Sequence, residues 1–325
     1  MREASQLASK QMALLEEIAD PTLMVGLPFA AILAKGETAE WADVQRWSQT
    51  VIDLADGDPA KGNLLLGSPL AAALVTRGFG RWGLGRPGWR DDLDDAVAMA
   101  RTFDPLSHGY VVNMKYGTAI TFGVLLADDA ALRDLDEALQ VAERSADDSA
   151  LGNVRLALSR ALVYRDSLAD RDRGLELLEQ VGDMCVEGRF FMCELPIVQV
   201  YVAREQAKRG DLDGALPLMR KAVDELFDRG QFTWFIPATG VLAETLLERG
   251  FEDDVAEAQT AIDRLAVTPA EDGLVVRDVL VLRLRALLAR ARGDQITYRD
   301  FLGRYRTMAR SFGFEGHTAW ADAMT

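Results

Sequence analysis

Residues 93–100 read Leu93-Asp94-Asp95-Ala96-Val97-Ala98-Met99-Ala100, and residues 135–142 read Leu135-Asp136-Glu137-Ala138-Leu139-Gln140-Val141-Ala142. Both have the form L-D-acidic-A-x-x-x-A, and they lie 42 residues apart. Weaker copies start at Asp172 (Asp172-Arg173-Gly174-Leu175), at Leu212 (Leu212-Asp213-Gly214-Ala215), at Glu252 (Glu252-Asp253-Asp254-Val255) and, degraded, near Gly293; the steps are 37, 40, 40 and 41 residues. Leu, Ala and Ala at i, i+3 and i+7 share one face of a helix, and self-similarity at a fixed period marks a repeat architecture. Each copy follows a mostly apolar stretch that ends in small or basic residues and a Gly or Asp turn, as in Ala207-Lys208-Arg209-Gly210-Asp211. Basic residues suit the negative end of a helix, Gly supplies a left-handed cap, and Asp or Glu suits the start of the next helix. The unit is therefore a hairpin of two helices. One hairpin cannot bury its apolar stripe alone, so neighbours must stack.

The fold class that follows is all-α: a superhelix of antiparallel helical hairpins with a period near 40 residues. The unit resembles the tetratricopeptide repeat with longer helices or looser turns, which makes the expected architecture a TPR-like α-solenoid. At this period, with terminal helices added, the chain should hold about 13 to 15 helices. Strand signals are nearly absent, whereas helical stripes recur, for example Val255, Ala258, Ile262 and Leu265. Residues 1–60 carry three helical stretches near 2–18, 22–35 and 38–56, as N-terminal helices of the same superhelix. Residues 61–313 hold the repeats, and 314–325 form a C-terminal capping helix, all in one continuous domain. Pro217, inside a second helix, should kink it or mark a late start.

Composition narrows the function classes. The chain has 325 residues, 49% of them apolar, with 36 Lys and Arg against 51 Asp and Glu, for a net charge of −15. The apolar share excludes a wholly disordered chain, and the acidic balance argues against direct nucleic-acid binding. Two histidines and two cysteines leave little material for His-based catalysis or a Cys/His metal site. Cys185 and Cys193, eight residues apart, read as free thiols in a reducing cytoplasm. The N-terminus lacks the apolar core of a signal peptide, and no apolar run reaches the roughly 20 residues of a membrane span. The expectation is a cytoplasmic protein without membrane contact and without a cofactor or metal.

Two strings resemble chemical motifs. Asp91-Asp92-Leu93-Asp94-Asp95 satisfies D-D-x-x-D, the pattern with which all-helical diphosphate enzymes gather magnesium, using Asp91, Asp92 and Asp95. Acidic clusters recur at the same point of other repeats, such as Asp211 with Asp213, so the string reads first as an acidic helix start. A magnesium-dependent enzyme acting on a diphosphate is the alternative. Gly78-Phe79-Gly80-Arg81-Trp82-Gly83 matches G-x-G-x-x-G, but no β-α-β unit surrounds it, and it reads as a flexible turn between helices. His108 and His317 read as a helix-start and a tail residue, without catalytic roles.

The remaining signal is polar and aromatic residues on first helices, which commonly line the concave surface of such superhelices. Tyr110, Asn113 and Tyr116 lie on one, Asn153 and Arg155 on the next, Gln199 and Arg204 on a third, and Trp234 on a fourth. These are the candidate binding residues for a protein partner or a small ligand. No residue carries a catalytic, cofactor or metal role in this reading.

The stretch Tyr298-Arg299-Asp300-Phe301-Leu302, continuing through Arg304-Tyr305-Arg306-Thr307-Met308-Ala309 to Gly313-Phe314-Glu315-Gly316-His317, resembles the C-terminal end of large actinobacterial signalling proteins. In those proteins a class III adenylate/guanylate cyclase domain and a STAND- or AAA-type ATPase precede a helical-repeat region. A related group couples such repeats to a LuxR/MalT-type helix-turn-helix, making the chain the effector-binding region of a transcription regulator. The resemblance implies a regulatory, non-catalytic sensor that controls an output activity in signal transduction.

Overall fold

The computed structural model describes residues 1–65, 67–268 and 273–324, and these residues form helices and turns without a strand. The chain opens with α1 (Arg2–Ile18), α2 (Pro21–Gly26), α3 (Pro28–Glu37) and α4 (Trp41–Ala55). Hairpins follow. The first pairs α5 (Pro69–Gly83) with α6 (Trp89–Arg101). The second begins with α7 (Pro105–Val112), runs through a π-helical segment (Asn113–Thr118) into α8 (Ala119–Thr121), and returns as α9 (Asp129–Ser145). Then come α10 (Asp148–Val163) with α11 (Leu168–Val186), and α12 (Leu195–Lys208) with α13 (Leu212–Asp228). The last are α14 (Phe232–Arg249) with α15 (Glu252–Ala266), and α16 (Val275–Ala291) with α17 (Gln295–Ser311). A terminal α18 spans Glu315–Ala323.

The repeated L-D-x-A strings fall on the second helices α6, α9, α11, α13, α15 and α17. Leu93, Ala96, Ala100, Leu135, Ala138, Ala142 and Ala215 are all buried. Their small side chains let each second helix lie close to its partner. First helices also touch the next first helix, as α12 does α14 and α14 does α16. Helical segments outnumber the expected 13 to 15 because α2 and α3 break at Leu27-Pro28 and because the π segment interrupts a first helix. Pro217 neither delays nor ends α13, which starts at Leu212 with Asp211 accepting from the Gly214 amide.

The glycine string 78–83 is a correction: it lies inside α5 and not in a turn. Glycines inside a helix cost roughly 1 kcal/mol each relative to alanine. Tertiary packing offsets this, because the Trp41 ring lies against Gly83, within 1.6 Å of where a Cβ would stand. Trp41, Phe79, Trp82, Phe122 and Trp234 form a chain of ring contacts with centroids 4.4 to 6.2 Å apart.

Both ends of the chain return to the hairpins. The turn between α3 and α4 meets α14, where Trp41 Nε1 donates to Thr233 Oγ1 at 3.1 Å and Thr233 donates to the Gly36 carbonyl. At the other end, the amides of Glu315 and His317 donate to the carbonyls of Val124 and Gly123, both at 2.9 Å. Among the described residues, no helix is long and apolar enough to cross a membrane.

Candidate functional site

The docked N-terminal arm and the first helices line a half-open cavity of about 300 Å³. Its walls come from α3 (Ile32, Leu33, Ala34, Glu37), α5 (Thr76, Phe79), α7 and the π segment (Tyr110, Asn113, Met114, Thr118), α10 (Asn153), the turn before α12 (Phe191, Cys193, Glu194) and α14 (Thr233, Trp234). The lining is mostly apolar, with a few convergent polar groups, as small-molecule sites are. The π segment places Asn113, Met114 and Thr118 on this wall; π bulges are frequent at functional positions.

Four of the eight sequence-derived candidates meet here: Tyr110, Asn113, Asn153 and Trp234. The buried Tyr110 hydroxyl and Asn113 Oδ1 have no hydrogen-bond partner. Asn153 fixes which end of the Asn113 amide is free. Its Nδ2 donates to the Ser149 carbonyl at 2.9 Å, so its Oδ1 accepts from Asn113 Nδ2 at 3.0 Å. Asn113 therefore keeps its oxygen as the unused group. A buried polar atom without a partner costs about 1–3 kcal/mol, and these two atoms carry that cost within the packed helices.

Glu37 accepts from Trp234 Nε1 at 3.1 Å and from Gln231 Nε2 at 2.9 Å. Burial, then the neighbouring Glu194 carboxylate, pushes the Glu37 carboxyl up to about 7. Glu194 accepts from Arg160 Nη2 at 3.0 Å. The fully buried Arg160 guanidinium lies over the Trp234 ring at 4.4 Å. Glu37, Glu194 and Arg160 were invisible as a group in the sequence. Glu37 falls in the gap between the expected helical stretches 22–35 and 38–56. Arg160 carried the one usable signal, a charge inside the apolar run Leu156–Val163 of α10.

The other four candidates lie elsewhere. Tyr116 is buried and donates its hydroxyl to Asp134. Arg155 is half-buried on α10, with Nη1 3.8 Å from Met184 Sδ, and Gln199 is exposed on α12. Arg204 lines a second cavity of about 200 Å³, together with Tyr164, Lys208, Glu244, Arg283, His317 and Trp320. There its guanidinium lies 4.7 Å above the Tyr164 ring, and Arg283 pairs with Glu244. Burial, then Arg204, lowers the Lys208 ammonium to about 8.

Asp92, at the centre of the D-D-x-x-D string, is buried and held by two arginines, Arg77 Nη2 at 2.5 Å and Arg81 Nη1 at 2.7 Å. Asp94 pairs with Lys115 at 2.7 Å. Among the described residues, no three His, Cys, Asp or Glu side chains come together as a metal site. Cys185 and Cys193 are both free thiols, pushed up to about 11 and above the usual thiol range by burial and by Glu194. Both histidines are buried: His108 in α7, with Nε2 lacking a partner, and His317 in α18, with Nδ1 2.9 Å from the Tyr305 hydroxyl. The chain matches no protein-family model and no curated protein.

Proposed function

We propose that this chain is a non-catalytic sensor module. In this reading it is a TPR-like α-solenoid that holds a small ligand among its first helices and passes occupancy to an attached or partner output activity. The observation that carries it is the largely apolar central cavity, on whose walls Tyr110, Asn113, Asn153 and Trp234 converge with Glu37. A ligand in this space touches both the N-terminal arm and the hairpins. It therefore binds the docked arrangement better than an undocked one, and differential affinity of that kind shifts a conformational equilibrium. The repeat spacing and the C-terminal stretch support an output of the cyclase–ATPase or LuxR/MalT-type signalling kind. The net charge of −15 supports recognition without direct nucleic-acid contact, and two free thiols support a cytoplasmic setting.

The test is a fragment screen read by thermal unfolding, run in parallel on the wild type and on Ala34→Phe, which fills the cavity from α3. Fragments should raise the unfolding midpoint of the wild type and lose that effect in the variant. Stabilisation that is equal in both proteins, or absent from the wild type, contradicts the reading.

A further inference from the structure

The charged side chains that line the central cavity are not a balanced set: Glu37 and Glu194 lie on its walls and, among the described residues, no lysine or arginine does. Thr233 is committed on both sides, accepting from Trp41 and donating to Gly36. The side-chain amide nitrogens of Asn113 and Asn153 each donate one hydrogen bond, to Asn153 Oδ1 and to the Ser149 carbonyl. The ionisable side chains that line the space include the Glu37 and Glu194 carboxylates. Arg160 neutralises one of those carboxylates from behind the Trp234 ring and does not line the space. One acidic charge is thus uncompensated when both carboxyls are ionised. A buried carboxylate without a counter-charge is costly, and an aromatic face attracts a cation. Trp234 and Phe79 supply such faces on the same walls.

We infer that the cavity takes a small, largely apolar ligand carrying one protonated amine, which sits against the Glu37 carboxylate with its apolar body against Trp234 and Phe79. The inference rests on the cavity being a ligand site and adds the chemistry of the ligand. A volume near 300 Å³ holds roughly ten non-hydrogen atoms, the size of an arylalkylamine. Glu37 is faced by Glu194 and Cys193 from the turn before α12, Arg160 from α10, Tyr110 from α7, and Gln231 and Trp234 from α14. Below pH about 7 the Glu37 carboxyl holds a proton. An ammonium ion binds the ionised form, so each binding event then releases that proton to solvent. Affinity should rise about tenfold per pH unit up to the Glu37 midpoint and level off above it.

Three matched probes test this on the full chain: 2-phenylethylamine, 2-phenylethanol and phenylacetate, measured by calorimetric titration from pH 5.5 to 8. The amine should bind tightest, with affinity that rises with pH. Two buffers of different ionisation heat should reveal proton release below pH 7 in the wild type. Glu37→Gln, which keeps the acceptor for Trp234, should weaken the amine about tenfold or more and abolish the pH dependence. If the alcohol or the acid binds as well as the amine, or if amine affinity is flat with pH, the amine inference falls and the cavity reading stands. If none of the three binds, both fall.

Discussion

At the residue scale, function and stability meet in a few buried polar side chains. His317 holds α18 through Tyr305 and is fully enclosed, and burial followed by Arg283 lowers its imidazole from 6.5 to about 3. The unfolded chain therefore takes up a proton below pH 6.5 that the folded chain refuses. Stability from this group is complete above pH 6.5 and is lost as the pH falls toward 3, by up to about 1.4 kcal/mol per pH unit. His317→Gln should flatten that part of a denaturant-derived stability profile between pH 6.5 and 4. An unchanged slope would mean that the docked α18 tolerates the charged ring. Glu37 runs the other way: its folded carboxyl holds a proton that the unfolded one releases. The stability it contributes is therefore present below about 4.5 and is lost as the pH rises through about 7.

At the element scale, the acidic starts of the second helices have two uses, of which the sequence revealed one. Asp128, Asp211 and Asp294 cap the amides of Ala131, Gly214 and Thr297. Their neighbours bridge successive hairpins. Asp129 pairs with Arg165, Asp172 with Arg209, and Asp213 with Arg249, each arginine standing at the end of the next first helix or just past it. Arg165 and Arg249 also hold Asp170 and Asp254 within their own hairpins. Part of the acidic surplus is thus consumed as a ladder of ion pairs along the repeat. Burial should grade the value of these pairs. Asp92→Ala leaves Arg77 and Arg81 without their shared buried partner and should cost about 3–5 kcal/mol in urea unfolding. Asp213→Ala, on a side chain 97% exposed, should cost less than about 1 kcal/mol. Equal losses would remove burial as the cause. The helical hairpins themselves were legible because a period near 40 repeats Leu and Ala at fixed offsets. The glycine string 78–83 misled, because only the three-dimensional approach of Trp41, distant in sequence, explains why a helix tolerates those glycines.

At the scale of the whole molecule, the chain folds its two ends onto its own first helices, and the central cavity lies where the N-terminal arm lands. The sequence could indicate which helices carry polar and aromatic residues. It could not indicate which residues converge, because convergence depends on pairings nearly 200 residues apart, such as Glu37 with Trp234. Tyr110, Asn113, Asn153 and Trp234 were recognisable as polar or aromatic side chains that an apolar helix face does not need. Gln199 looked the same in sequence but points to solvent. The measurement that tests the central claim most directly is quenching of tryptophan fluorescence by 2-(4-bromophenyl)ethylamine, whose heavy atom quenches an indole it touches. The account predicts saturable quenching in the wild type that is largely lost in both Trp234→Phe and Ala34→Phe. Quenching that is linear in probe concentration, or saturable but identical in all three proteins, would contradict a ligand site in the central cavity.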